Sequence, residues 1–257
     1  MPQSPDRPQP PDRAAELESL QLHIQPQPDD TTCGPTCLDA IYRYYGQAVP
    51  LEDLIVAVPK TPSGGTADVY LANDALRRGF KVAIHTHNIR MFDPTWFAPG
   101  VDIAQKLRAQ KAAKGAERPV LTQLTPAYVE FLERGGELHF TDLNAAFLRR
   151  HLKRGVPVLT GLSSTYLYRH PREVSDTGAD DDIGGEPQGH FVVLCGYHSG
   201  TRTVLVADPY EENPLSPGHH YEVALDRAIG AIMLGVLTHD ASMILIEPGV
   251  RGAVPRR

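Results

Sequence analysis

Gln27-Pro28-Asp29-Asp30-Thr31-Thr32-Cys33-Gly34-Pro35-Thr36-Cys37-Leu38 is the stretch on which the reading of this chain turns. Pro35 suits the first helical position, where a missing N–H costs nothing and the fixed φ already fits. Gly34 allows a sharp turn into that helix. Cys37, Ile41 and Tyr44 or Tyr45 then recur at helical spacing, and Gly46 supplies a left-handed stop. The pattern predicts a helix with Cys33 at its N-terminus, where free N–H groups and the helix dipole favour an anion. Such surroundings lower a thiol pKa from ~8.5 into a range of roughly 3.5–7.5 and make the thiolate available. Two roles fit a cysteine here: a nucleophile, or a buried structural thiol, which is the commoner fate of free cysteine. Cys37, one turn further along the apolar face, fits the second role better.

The 257 residues suffice for one large domain with a substantial core. A hydrophobic content of 41% and a charged content of 22% are ordinary for a globular protein. The net charge of −6 argues against nucleic acid or an acidic lipid surface as partner. No apolar run approaches the ~20 residues of a membrane helix. Met1 to Arg13 is polar and proline-rich, without the apolar centre of a secretory signal. Three cysteines are too few and too scattered for a disulfide framework or a zinc site, so a reducing, cytoplasmic setting without a cofactor is expected. Oligomeric state is left open.

Along the chain, residues 1–20 read as a disordered or loosely docked arm, 21–250 as one domain, and 251–257 as a tail. Leu22-His23-Ile24 is expected as a short strand before the Cys33 helix, and a short helix over Leu51–Val58 after it. The next helix has Thr66 as N-cap, Asp68 in its first turn and Gly79 at its end. Phe80–His85 alternates as a strand does. The block 91–136 changes texture: breakers at Pro94, Pro99 and Gly100, a basic exposed helix over Val101–Lys114, and a short helix from Thr125-Pro126 to Gly135-Gly136. It reads as an insertion or lid outside the core. Regular elements resume with a strand at Glu137–Phe140 and a helix capped by Thr141 and ended by Gly155. A strand at Val156–Thr160 follows, with Pro157 marking an edge or a bulge. Residues 170–189 form an acidic loop. His190–Tyr197 and Arg202–Ala207 flank a Ser199-Gly200 turn as a hairpin. A helix around Leu225–Met233 and a strand at Met243–Glu247 complete an α+β fold, helices first and antiparallel sheet afterwards.

A cysteine nucleophile needs a base, usually histidine, and often a third group to orient it. Among eleven histidines, His190 stands out at the head of a strongly apolar strand. Asp208 ends the partner strand; each lies nine residues from Ser199, which puts both near one end of the ribbon. Asp208 can then accept from one ring nitrogen while the other faces Cys33. Gln27, six residues before the thiol, can donate its amide to a developing oxyanion beside the Cys33 N–H. Singly, Asp208-Pro209 is an ordinary turn starter and His190 an ordinary strand-end residue. The pairs His85/His87 and His219/His220 lack a third ligand at sensible spacing, so no metal is expected. His23, His139, His151, His170 and His239 read as ordinary histidines.

Gln27-x5-Cys33-Gly-Pro-Thr-Cys37, Gly189-His190-Phe-Val-Val and Ala207-Asp208-Pro209-Tyr210 together resemble the papain-like double-glycine leader peptidases. These are the peptidase domains of bacteriocin exporters and their stand-alone bacterial relatives. The resemblance spans roughly residues 20–85 and 137–211. It implies a papain-like fold with Cys33 as nucleophile, His190 as base, Asp208 as orienter and Gln27 in the oxyanion hole. No transporter segments follow, so an export role does not carry over. The block 91–136 and the acidic loop match nothing in that pattern.

The expected function is a cysteine peptidase or amidase acting on a peptide or amide through a thioester. An acyltransferase of the phytochelatin-synthase kind would pass the same thioester to an amine or thiol. A non-catalytic peptide-binding domain would keep the fold and lack a triad member, and here no member is missing.

Overall fold

The structure, a computed structural model, describes residues 17–249 apart from 63, 175–176 and 239–240. The readings of residues 1–16, of His239 and of the 251–257 tail lie outside the described residues. One mixed sheet forms the spine. Its order is β3 (Glu137–His139), β2 (Lys81–Thr86), β8 (Ser242–Glu247), β4 (Val158–Ser163), β5 (Gly189–His198), β6 (Thr203–Ala207) and β7 (His220–Ala224). A further strand, β1 (Leu17–Ser19), pairs with β5 at Gly196–His198, beyond the point where β4 leaves it at Leu194. Every pairing is antiparallel except β2 with β3. The fold is α+β, as expected, with helices on both faces of the sheet.

Alternation along the strands builds two cores. On one face Val82, Ile84, Phe191, Val193, Ile244 and Ile246 pack beneath α1 (Cys33–Tyr44), α3 (Asp68–Arg77) and α5 (Pro119–Glu133). On the other, Val158, Val192, Leu194, Val206, Met243 and Leu245 pack beneath α6 (Ala145–Lys153) and α8 (Leu225–Leu234). Further helices support these layers: α2 (Leu51–Ala57) on α1, α4 (Ile103–Lys114) on α5, and α7 (Ser164–Tyr168) on α8.

The helix α1 is buried at every residue from Cys33 to Tyr42. Its one buried carboxylate, Asp39, is held by Arg43 at 2.8 Å and by the Gln25 amide at 3.0 Å. Tyr42 stacks on Phe80 with ring centroids 5.0 Å apart, and its hydroxyl donates to Asp74 at 2.8 Å, tying α1 to α3. Gly46, at φ +73°, stops the chain just beyond α1 as expected.

Local readings are corrected at several places. Leu22 and Ile24 are buried but form no strand; the docking strand lies earlier, at β1, where part of the supposed loose arm covers the open edge of β5. Pro35 is the third helical residue, still at a position where an N–H would have no intrahelical acceptor, so its missing N–H costs nothing. Ala67 precedes α3 and Asn144 caps α6 through Phe147 N–H, whereas Thr66 donates to Pro59 O. β4 lies between β8 and β5, not at an edge; Pro157 just precedes its first paired residue and so costs no rung. The elements α7 and β7 are additional to those expected.

The block 91–136 is also corrected: it is core, not a lid outside it. Leu121, Leu124, Ala127, Tyr128 and Phe131 recur at helical spacing along α5 and are buried in the same cluster as Cys33. The helix starts at Pro119, six residues before Thr125, and carries Pro126 internally, so a start at Thr125 splits this stripe. Tyr128 donates to buried Asp68 at 2.6 Å, and Asn73 donates to Ala127 O at 2.9 Å, joining α5 to α3. The Phe131 ring rests on Gly136, where a Cβ would collide with it. Phe131→Ala should therefore destabilise the protein by about 3–5 kcal/mol in urea unfolding, as a fully buried aromatic does and a lid residue does not.

Candidate functional site

His190 is the second residue of β5, and Asp208 follows the last residue of β6. His190 Nε2 donates to Asp208 Oδ1 at 2.8 Å. Strand register explains the meeting. Near the turn the pairs are His198↔Thr203, Tyr197↔Val204 and Gly196↔Leu205; past a bulge between Leu194 and Gly196 they become Leu194↔Val206 and Val193↔Ala207. Continued by one residue, the shifted register sets Asp208 opposite Val192, on the face that His190 shares two residues away. Without the bulge Asp208 would oppose Val193, and His190 would project from the other face. The equal count from Ser199 is thus corrected: the bulge, not symmetry about the turn, joins the pair.

Cys33 opens α1, on the opposite layer of the sheet. The loop before it is self-bonded: Asp29 Oδ1 accepts from Thr31 N–H at 2.8 Å and Thr31 Oγ1 at 2.7 Å, and Thr32 Oγ1 donates to Asp29 O at 3.0 Å. Gly34 is required by packing. A Cβ there would lie 2.5 Å from the Thr66 methyl and 3.2 Å from Leu71, so any side chain would force this contact to shift. Cys33 stands near enough to His190 to favour the charged form of its ring. With Nε2 engaged by Asp208, Nδ1 is the ring nitrogen not bonded to the carboxylate. The site lies at the sheet's rim, where a residue from each layer can reach the other.

Electrostatics favour a charged imidazole. Burial alone would push His190 down, but the Asp208 carboxylate and nearby Cys33 outweigh it and raise the ring to about 10. Asp208 is fully buried. Burial would raise its pKa, yet His190 and two tyrosine hydroxyls hold it below the usual carboxylate range. Those hydroxyls belong to Tyr168, at 2.7 Å, and Tyr221, at 2.6 Å, both donating to Oδ2. Tyr210 N–H donates to Oδ1 at 2.9 Å. Sequence reasoning missed Tyr168 and Tyr221, which stand on the two unforeseen elements. The alternation His220-Tyr-Glu-Val-Ala224 was a signal for β7; nothing local marks Tyr168.

Gln27 is tied to the same region by its backbone, whose N–H donates to Pro209 O at 2.9 Å. Its side-chain amide donates to Asp29 O at 3.0 Å, in the turn that leads to Cys33. The structure thus brings Cys33, His190 and Asp208 to one end of the sheet and anchors Gln27 beside them.

Residues 103–224 match the Peptidase_C39 like family. The match takes in His190 and Asp208, as well as α4 and α5, and leaves out Gln27 and Cys33. The motif resemblance to double-glycine peptidases and this match agree. Solved structures with a similar outline include a double glycine motif protease from an AMS/PCAT transporter in complex with the leader peptide. It has 11% identity and a TM-score of 0.44, over 90% of this chain and 94% of that one. The peptidase domain of Streptococcus ComA, a bi-functional ABC transporter involved in a quorum sensing pathway, has 13% identity and a TM-score of 0.41, over 88% and 97%. A protein from Bacillus anthracis described as a C39-like peptidase has 15% identity and a TM-score of 0.46, over 90% and 97%. No curated protein matches the chain. No helix among the described residues is long and apolar enough to cross a membrane.

Five other histidines fall into two groups. His219 Nδ1 pairs with Asp208 O and His220 Nε2 with Leu22 O, both at the backbone. His85, His139 and His151, scattered in sequence, form one cluster: His85 stacks on His139 at 4.8 Å and lies 6.3 Å from His151. Among the described residues no group of three such side chains is arranged to hold a metal. Burial, with help from neighbouring cations, pushes His85 down to about 3 and His151 to about 4.

Two outcomes follow from these environments. The native protein should be alkylated by iodoacetamide at Cys33 alone. Cys37 and Cys195 are fully buried and bonded to Phe191 O and Leu205 O, and burial raises both thiols, Cys195 to about 12. Peptide mapping should find them labelled only after denaturation. His85 and His151 should make the fold acid-labile. The folded-state values lie below the unfolded one, so this stability is complete above about pH 6.5 and is lost as pH falls toward about 3. Urea melts at about pH 7 and pH 4.5 should show the loss, and His85→Phe should flatten the difference.

Proposed function

We propose that the protein is a cysteine peptidase or amidase of the double-glycine-peptidase-like class, with a Cys33–His190–Asp208 triad. The observation that carries the reading is the bond from His190 Nε2 to buried Asp208 at 2.8 Å, with Cys33 near the same ring and at a helix N-terminus. The substrate is a peptide or amide carbonyl.

In this reading the Cys33 proton already rests on His190 Nδ1 as a thiolate–imidazolium pair, and the sulfur attacks the carbonyl carbon. The oxyanion that forms meets the Cys33 N–H, which as the first helical residue has no intrahelical acceptor. Gln27 contributes its side-chain amide as a second donor. The imidazolium, stabilised by Asp208, gives its proton to the departing amine, leaving a thioester on Cys33. Water, deprotonated by His190, then attacks the thioester, releases the acid and restores the thiolate–imidazolium pair. Asp208 stays ionised throughout, since the hydroxyls and the imidazolium around it favour the anion.

The test uses three variants and a panel of peptide substrates with and without an added amine acceptor. Cys33→Ala should abolish turnover and thioester trapping. Asp208→Asn should fold but lose on the order of 10⁴ in kcat, the cost of the wrong tautomer in a comparable triad. Gln27→Ala should lower kcat about 10²–10³-fold with little change in KM. Wild-type turnover in Asp208→Asn would sink the triad, and amide products formed only with the amine acceptor would turn the reading to acyl transfer.

A further inference from the structure

We propose that Tyr168 and Tyr221 are positioning residues that act through Asp208 to set how tightly His190 holds its proton. This rests on the triad reading above. Both hydroxyls donate to one carboxylate oxygen, Oδ2, at 2.7 and 2.6 Å. The other oxygen, Oδ1, faces His190 at 2.8 Å and the Tyr210 N–H at 2.9 Å. The two tyrosines come from separate elements, α7 and β7, and converge on a fully buried group.

The arrangement has two consequences. Donors on Oδ2 fix the plane of the carboxylate, so that Oδ1 is the oxygen presented to Nε2. They also draw charge away from Oδ1 and so weaken its pull on the imidazolium. A carboxylate without them would be a stronger base, and its imidazolium a more reluctant acid toward the leaving amine. Burial and the charge on Asp208 push both phenols above their ordinary range, so each keeps its proton and remains a donor. The other titratable groups facing the pair are Cys33 and Cys37 from α1, Tyr210 after β6, and His219 before β7. None of these reaches Oδ2 by a side-chain bond among the described residues.

The experiment is a histidine titration followed by NMR on the full chain, with His190→Ala identifying the resonance. Iodoacetamide alkylation of Cys33 against pH runs in parallel. Tyr168→Phe and Tyr221→Phe should each move the His190 titration upward by roughly half a pH unit, a fraction of the effect of a charged hydrogen bond on the carboxylate itself. The alkaline step in alkylation should follow, and the double variant should move further. Tyr42→Phe removes a comparable buried bond, from Tyr42 to Asp74, and should lower the melting temperature without moving the titration. Should a phenylalanine variant fail to fold, fluorotyrosine at position 168 or 221, a stronger donor, should move the titration downward. An unmoved or reversed titration in these variants overturns the proposal. If Asp208→Asn also leaves His190 unmoved, the triad reading itself falls; if Asp208→Asn moves it and the tyrosine variants do not, only the tyrosine role is lost.

Discussion

The Asp208 carboxylate, fully buried, is the constraint around which this end of the molecule is arranged. An isolated charge there would cost several kcal/mol, and only several well-aligned donors can offset that. They come from four places: His190 on β5, Tyr168 on α7, Tyr221 on β7 and the Tyr210 backbone after β6. The backbone of Asp208 is locked too, through reciprocal bonds with His219 at 2.8 Å each. Satisfying one anion thus fixes the ends of three strands and a helix relative to one another. That is also what a reacting imidazole requires, since its direction is set by the carboxylate it leans on.

The thiol reaches this frame from the other layer of the sheet. Its helix is buried on all sides over its first ten residues, so its axis is set by packing rather than by loop geometry. Tyr42 against Phe80 and Asp74, and Gly34 against Thr66 and Leu71, leave little freedom to slide or roll. The helices α3 and α5 stand behind α1, so the block 91–136 supports Cys33 at one remove. This is why α5 carries a continuous buried stripe although the chain before it is rich in breakers.

Much of this was legible in the residues. Cys33-Gly-Pro announces a helix N-terminus because proline and glycine have few conformational uses. The apolar run after His190 announces a central strand, and Asp208-Pro209 its partner's end. What was not legible involved distance in space. Leu121 to Phe131 make sense as core only once α3 is beside them. His85, His139 and His151 look unrelated until β2, β3 and α6 bring them together. Tyr168 has no meaning before it meets a carboxylate forty residues away.

The sequence by itself determined which residues are proposed to carry the chemistry: one thiol at a helix start, one imidazole at a strand head, one carboxylate at the end of the next strand. Local propensity and spacing suffice for that, because each depends on neighbours along the chain. Only the tertiary structure decided that imidazole and carboxylate share a face. Side chains alternate with a period of two, so one extra residue in β5, at the bulge between Leu194 and Gly196, reverses every position beyond it. Nothing in the apolar run His190 to Tyr197 reveals that extra residue. It becomes visible when β6 pairs alongside, and it places Asp208 against His190 rather than behind it.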